Sequence, residues 1–146
     1  MHMRLNGELS RLLAADSELS YQDYSVLVAL TDAPEGTMRM FELGRMLGWE
    51  KSRVSHQITR MTARGLVRKR RCGGDRRGAF VTVTARGRKE LAAAAPGHVD
   101  AVRRLFIDRL TPRQLDQIAS AAERILAAID EACDGSAPDP AGGGDR

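Results

Sequence analysis

The chain has 146 residues, 42% of them hydrophobic and 29% charged, enough for one domain with a real core. No apolar run approaches the roughly 20 residues a membrane span needs, and no charged segment leads into an apolar leader. A cytoplasmic protein with no membrane partner is therefore expected. The net charge of +4 conceals an asymmetry: residues 37–90 hold 15 Lys and Arg against 4 acids, a balance of +11, and the remainder carries −7. A basic block in an acidic frame is the footprint of a phosphate-backbone binder; the plainer reading is a solvated basic face. Cys72 and Cys133 lie far apart, and His2, His56 and His98 share no ligand spacing with them. No disulfide, metal site or cofactor is expected.

In chain order, RLNGELSRLLAADS places Leu5, Leu9, Leu12 and Leu13 on one stripe and predicts a helix. Ser20 and Asp23 form a capping-box pattern before a second helix, whose apolar face is Tyr24, Leu27, Val28 and Leu30. Pro34 and Gly36 end it. Glu8, Asp16 and Asp23 read as a solvated helix face. MFELGRMLGW predicts a short helix with Phe41, Leu43 and Leu47 inward, ended by Gly48. A further helix over about 50–64 starts at Glu50, whose charge suits the helix dipole, and ends at Gly65.

That helix has two faces. Val54, Ile58 and Met61 fall on one, at i, i+4 and i+7; Ser52, His56 and Thr59 point the other way, flanked by Arg53, Arg60 and Arg64. There is no acid from 51 to 64. The period then changes: LVRKRRC and AFVTVT predict two strands around a Gly-rich tip, a hairpin over about 67–84. Thr84 caps a long helix toward Leu110, expected to break near Pro96. Thr111, Pro112 and Gln114 open a last helix with a stripe of Leu115, Ile118, Ala122, Ile125, Leu126 and Ile129. Residues 134–146 read as a disordered tail.

Helix, short turn, helix and basic hairpin together predict a winged helix-turn-helix in a mainly α chain with a small β-hairpin wing. The second helix of such a unit enters the DNA major groove. Ser52, Arg53, Ser55, His56, Thr59, Arg60 and Arg70 can reach base edges or phosphates. At the hairpin tip Arg76 and Arg77 can enter a minor groove, with Asp75 pairing with Arg77 to aim it.

The sequence here resembles the MarR (multiple antibiotic resistance regulator) family. SRVSHQITRMTARGLVRK is similar to that family's recognition helix and its exit, DRRGAFVTVTARGR to its wing with the D-x-R element at Asp75 and Arg77, and LTPRQL to the start of its last helix. The resemblance covers about residues 20–133. It implies a homodimer on an inverted-repeat operator in double-stranded DNA, with terminal helices forming a dimerisation lobe. The apolar stripes support a dimer on their own terms, exceeding what a lone winged lobe needs. Candidate dimerisation residues are Leu5, Leu9, Leu12, Leu105, Phe106, Leu115, Ile118, Ile125 and Ile129. The expected division is 1–19 for an N-terminal dimerisation helix, 20–90 for the DNA-binding lobe and 91–133 for C-terminal dimerisation helices. The N-terminal helix is short for the family, which thins that part of the interface.

The resemblance further implies a repressor released by a small aromatic or anionic ligand. Tyr21, Tyr24, Trp49 and His98 are candidates for its pocket, against plainer roles for Trp49 in packing the turn, Tyr24 in the core and His98 as an ordinary helix residue. Some relatives sense oxidants through an N-terminal cysteine, which this chain lacks. Cys72, beside Arg70 and Arg71, is placed for a thiolate, so a redox-sensing regulator is an alternative. A second alternative is a non-specific architectural DNA binder. No nucleophile elbow, phosphate loop or zinc signature points to an enzyme.

Overall fold

Among the described residues, 1–71 and 78–134 of the computed structural model, the chain forms six α-helices and one three-stranded sheet. They run α1 (His2–Asp16), α2 (Tyr21–Asp32), β1 (Thr37–Arg39), α3 (Met40–Leu47), α4 (Lys51–Ala63), β2 (Val67–Arg71), β3 (Ala79–Val83), α5 (Ala85–Leu105) and α6 (Pro112–Asp134). The mainly α winged architecture is the expected one. Two compact units result, Met1–Leu105 and a second beginning at Phe106. The expected boundary at residue 90 falls inside α5, and the expected tail lies outside the described residues apart from Asp134 at the end of α6.

Local chemistry explains the element ends. Ser20 Oγ accepts from Asp23 N–H at 3.1 Å and Asp23 Oδ2 accepts from Ser20 N–H at 2.9 Å, the expected capping box on α2. Gly48 and Gly65 take φ of 63° and 73°, left-handed values that an L side chain resists, and so turn the chain after α3 and α4. Thr84 Oγ1 accepts from Gly87 N–H at 3.0 Å and donates to Gly65 O at 2.6 Å, joining the start of α5 to the exit of α4. In the second unit, Gln114 Oε1 accepts from Thr111 N–H at 2.9 Å at the start of α6.

The core of the first unit gathers Leu27 and Leu30 from α2, Leu43 from α3, Ile58 and Met61 from α4 and Val81 from β3, all fully buried. α1 packs on α5, with Leu9 and Leu13 buried and Leu5 and Leu12 half-buried. β3 is the central strand, with β1 and β2 antiparallel on its two sides and Lys69 opposite Val81.

Four expectations need correction. β1 was not foreseen: three residues, Thr-Met-Arg, are too short to show alternation, and they are held as a strand by β3, with the Thr37 and Thr82 hydroxyls 2.9 Å apart. Phe41 is not inward but 60% exposed; Leu43 and half-buried Leu47 carry the inward face of α3. α5 does not break near Pro96 or reach Leu110. It continues through Pro96 to Leu105, and since Ala92 and Pro96 both lie on the exposed side, the carbonyl deprived of its partner can face water. Asp23 is not on a solvated face; it is buried, for the reason given next.

Candidate nucleic-acid interface

Val54, Ile58 and Met61 seat α4 in the core as their spacing predicts. That leaves Ser52, Arg53, His56, Thr59 and Arg60 exposed along the outward side, with Ser55 half-buried beside them. Glu50 is the N-cap residue and makes no side-chain cap hydrogen bond. Thr59 Oγ1 donates to Ser55 O at 2.9 Å, so its hydroxyl proton is already used and an acceptor faces outward. Arg68, Lys69 and Arg70 extend the basic surface along β2. Cys72, Asp75, Arg76 and Arg77 lie outside the described residues.

The two outward arginines of α4 are held differently. The Arg53 guanidinium lies 4.5 Å from the centroid of the Trp49 ring, a cation–π contact. Trp49 packs against the core at the turn between α3 and α4, its backbone N–H donating to Gly44 O at 2.8 Å. Arg60 donates to Gln57 Oε1. Gln57 is itself buried, and its Nε2 donates to Asp23 Oδ1 at 2.7 Å. Arg64 donates to Asp23 Oδ2 at 2.7 Å and to Glu18 O at 2.7 Å. Arg64 therefore turns back to α2 instead of flanking the outward face.

Burial of Asp23 by itself pushes its carboxyl up. The Ser20 N–H, the Arg64 guanidinium and the Ser20 hydroxyl outweigh that and hold it below the ordinary carboxylate value. Sequence reasoning missed Gln57. Its position offered a signal: 54, 57, 58 and 61 share one stripe, and a lone amide on an apolar stripe calls for a buried polar partner.

Of the four candidate pocket residues, Tyr21 and Trp49 line a cleft of about 370 Å³ that also takes in Ser10, Ser25, Leu47 and Arg53. Tyr24 and His98 do not line it. They form an aromatic cluster with Tyr21, the His98 ring 4.5 Å from that of Tyr24 and 6.0 Å from that of Tyr21. His98 Nδ1 is buried without a hydrogen-bond partner, and burial lowers the pKa of the ring from its ordinary value of 6.5.

The MarR family's sequence profile matches residues 17–78, which span α2, the helix-turn-helix and the start of the wing. The transcriptional regulator HosA of Escherichia coli is 30% identical over 109 residues, covering 75% of this chain and 78% of HosA. The chain belongs to the MarR family. It is a DNA-binding transcriptional regulator and not an enzyme. Among solved structures, the MarR family regulator Sco3205 of Streptomyces coelicolor in complex with DNA superposes with a TM-score of 0.82 at 35% identity, covering 88% of this chain and 83% of that one. AbsC, a MarR family regulator from the same organism, gives 0.77 at 38% identity over 89% and 90%. No helix among the described residues is long and apolar enough to cross a membrane.

Proposed function

We propose that this MarR family protein is a repressor that binds an inverted-repeat operator as a homodimer and is released by a small aromatic or anionic ligand. The observation that carries the DNA-reading part is the outward face of α4: Ser52, Arg53, His56, Thr59 and Arg60 exposed, Ser55 alongside, and no acid from 51 to 64. Arg can pair with guanine through two hydrogen bonds, whereas Ser and Thr discriminate less. Arg70 adds a phosphate contact, and the expected minor-groove contribution of Asp75, Arg76 and Arg77 falls outside the described residues.

The dimer reading draws on α6. Ile118, Ile125, Leu126 and Ile129 are 43–60% exposed on a stripe whose spacing is that of a buried face. Phe106 and Leu115 in the same unit, and Leu105 at the end of α5, are half-buried and are further candidates. Of the α1 candidates, Leu5 and Leu12 remain half-open, whereas Leu9 is already covered within its own chain. In this reading α1, the end of α5 and α6 form the dimerisation lobe, and α2 to the start of α5 the DNA-binding lobe. The ligand reading draws on the cleft between α1, α2 and the helix-turn-helix: Tyr21, Trp49 and Leu47 supply flat apolar surface, Arg53 a positive charge, and Ser10 and Ser25 hydroxyls.

The test is a fluorescence-anisotropy titration at near-physiological salt. One duplex comes from the DNA upstream of the protein's own coding region, the other is a scramble of equal length. Tight binding to the first alone, at two protomers per duplex, is expected. Equal, steeply salt-dependent binding to both would favour the architectural alternative.

A further inference from the structure

Gln57 has no reason to be an amide if its work is to seat α4. It lies on the same stripe as Val54, Ile58 and Met61 and is 3% exposed. A methionine or leucine there would continue the stripe, at the cost of leaving Oδ1 of the buried Asp23 without that donor. Instead the amide joins a buried carboxylate to an exposed guanidinium. Nε2 donates to Asp23 Oδ1 at 2.7 Å, and Oε1 accepts from Arg60. Asp23 is fixed in turn, since Oδ2 accepts from Arg64 at 2.7 Å and from the Ser20 N–H at 2.9 Å. The carboxylate can only accept and the guanidinium can only donate, so the amide between them has one workable orientation.

We propose that Gln57 is a positioning residue for specificity: anchored by Asp23 of α2, it fixes the Arg60 guanidinium on the outward face of α4 and thereby sets how sharply Arg60 discriminates between base pairs. The inference rests on the reading that α4 presents Arg60 to base edges. A free arginine side chain must give up rotamer freedom on binding and can settle on a phosphate almost as well as on a base. One donor of Arg60 is spent on Gln57, and the direction of the remaining donors is set before DNA arrives. Arg53, resting on the Trp49 face, has no such directional hydrogen bond and is left freer to track the backbone. The relay also couples α2 to the recognition face: a displacement of Asp23 reaches Arg60 through a single side chain.

The test compares affinity for a duplex enriched from a randomised pool by the wild-type protein with affinity for its scramble, at temperatures well below unfolding. Arg60→Ala and Gln57→Met should each lose roughly tenfold of that preference, with affinity for the scramble little changed by Gln57→Met. The double variant should lose no more than Arg60→Ala alone, because both act through one contact. Gln57→Glu keeps an acceptor for Arg60 but sets a second carboxylate against Asp23. Measured against wild type at the same pH, its preference should approach that of wild type at acid pH, where the two carboxylates share a proton, and fall below it as pH rises and both ionise. A Gln57→Met protein that keeps its preference while Arg60→Ala loses it overturns the relay and leaves base reading by Arg60 intact. Losses that add in the double variant, or a Gln57→Glu preference that tracks wild type at every pH, also overturn the relay. If Arg60→Ala keeps the preference, base reading by Arg60 fails and the relay fails with it.

Discussion

α4 and α6 are both amphipathic helices, and their fates are opposite. The apolar stripe of α4 is covered within its own chain by α2, α3 and the sheet, with Val54, Ile58 and Met61 at 2% exposure or less. The stripe of α6 stands open, Ile125 and Leu126 each at 60%. Covering the apolar side of α4 leaves its polar, cationic side as the surface on offer. On α6 the apolar side is what remains to be covered, and water does not favour leaving it so. One pattern of period 3.6 thus leaves a polar, cationic face on offer in one place and an apolar face in the other. The difference lies in which side the rest of the chain leaves uncovered.

The comparison breaks first if α6 needs no partner. Leu126→Asp should give the largest effect, because a two-fold interface receives each substitution twice and a carboxylate there is buried without a partner. A loss on the order of 3–5 kcal/mol in dimer stability is expected. Sedimentation should show monomers at concentrations where the wild type is dimeric, and affinity for an inverted repeat should fall with it. A wild-type sedimentation profile that is already monomeric would remove the dimer reading. Next in size is Ile58→Ala, a cavity in the filled core under α4. It should cost about 2–5 kcal/mol in chemical denaturation while leaving the dimer contact untouched. The pair separates the two helices by readout: one variant changes association, the other changes the stability of a single chain.

Most of α4 and its surroundings was legible because the signal is local. Val54, Ile58 and Met61 repeat at helical spacing, Gly48 and Gly65 punctuate the ends, and Ser20 with Asp23 announces a cap within four residues. What escaped depends on residues distant in sequence. The strand at Thr37–Arg39 exists only because β3 pairs with it more than forty residues later. Asp23 looked solvated because its partners, Gln57 and Arg64, are 34 and 41 positions away. Pro96 looked like a break because proline rules describe the lost hydrogen bond and not whether water is at hand to replace it. The exposed Phe41 escaped because a short helix at spacing 41, 43 and 47 leaves its first position free to point away from the core.

The smallest and most discriminating change concerns a polar atom covered without a partner. His98 of α5 is wedged against Tyr21 and Tyr24 of α2, and burial lowers the pKa of its ring. In the unfolded chain the imidazole takes a proton as pH falls through its ordinary value near 6.5; in the folded chain it resists. The unfolded state therefore binds more protons between the lowered folded value and 6.5, so stability is present above that window and declines as pH falls into it. Asp23 acts elsewhere: its carboxyl is held below its ordinary value of 3.8, so its contribution persists at moderately acid pH and is lost only lower down. His98→Phe keeps the aromatic contact and removes the titration. Urea midpoints at about pH 7 and about pH 5 should differ less in His98→Phe than in the wild type. Equal differences would mean that the folded ring takes up its proton as readily as a free one, and that the α2–α5 contact is looser than the cover over α4.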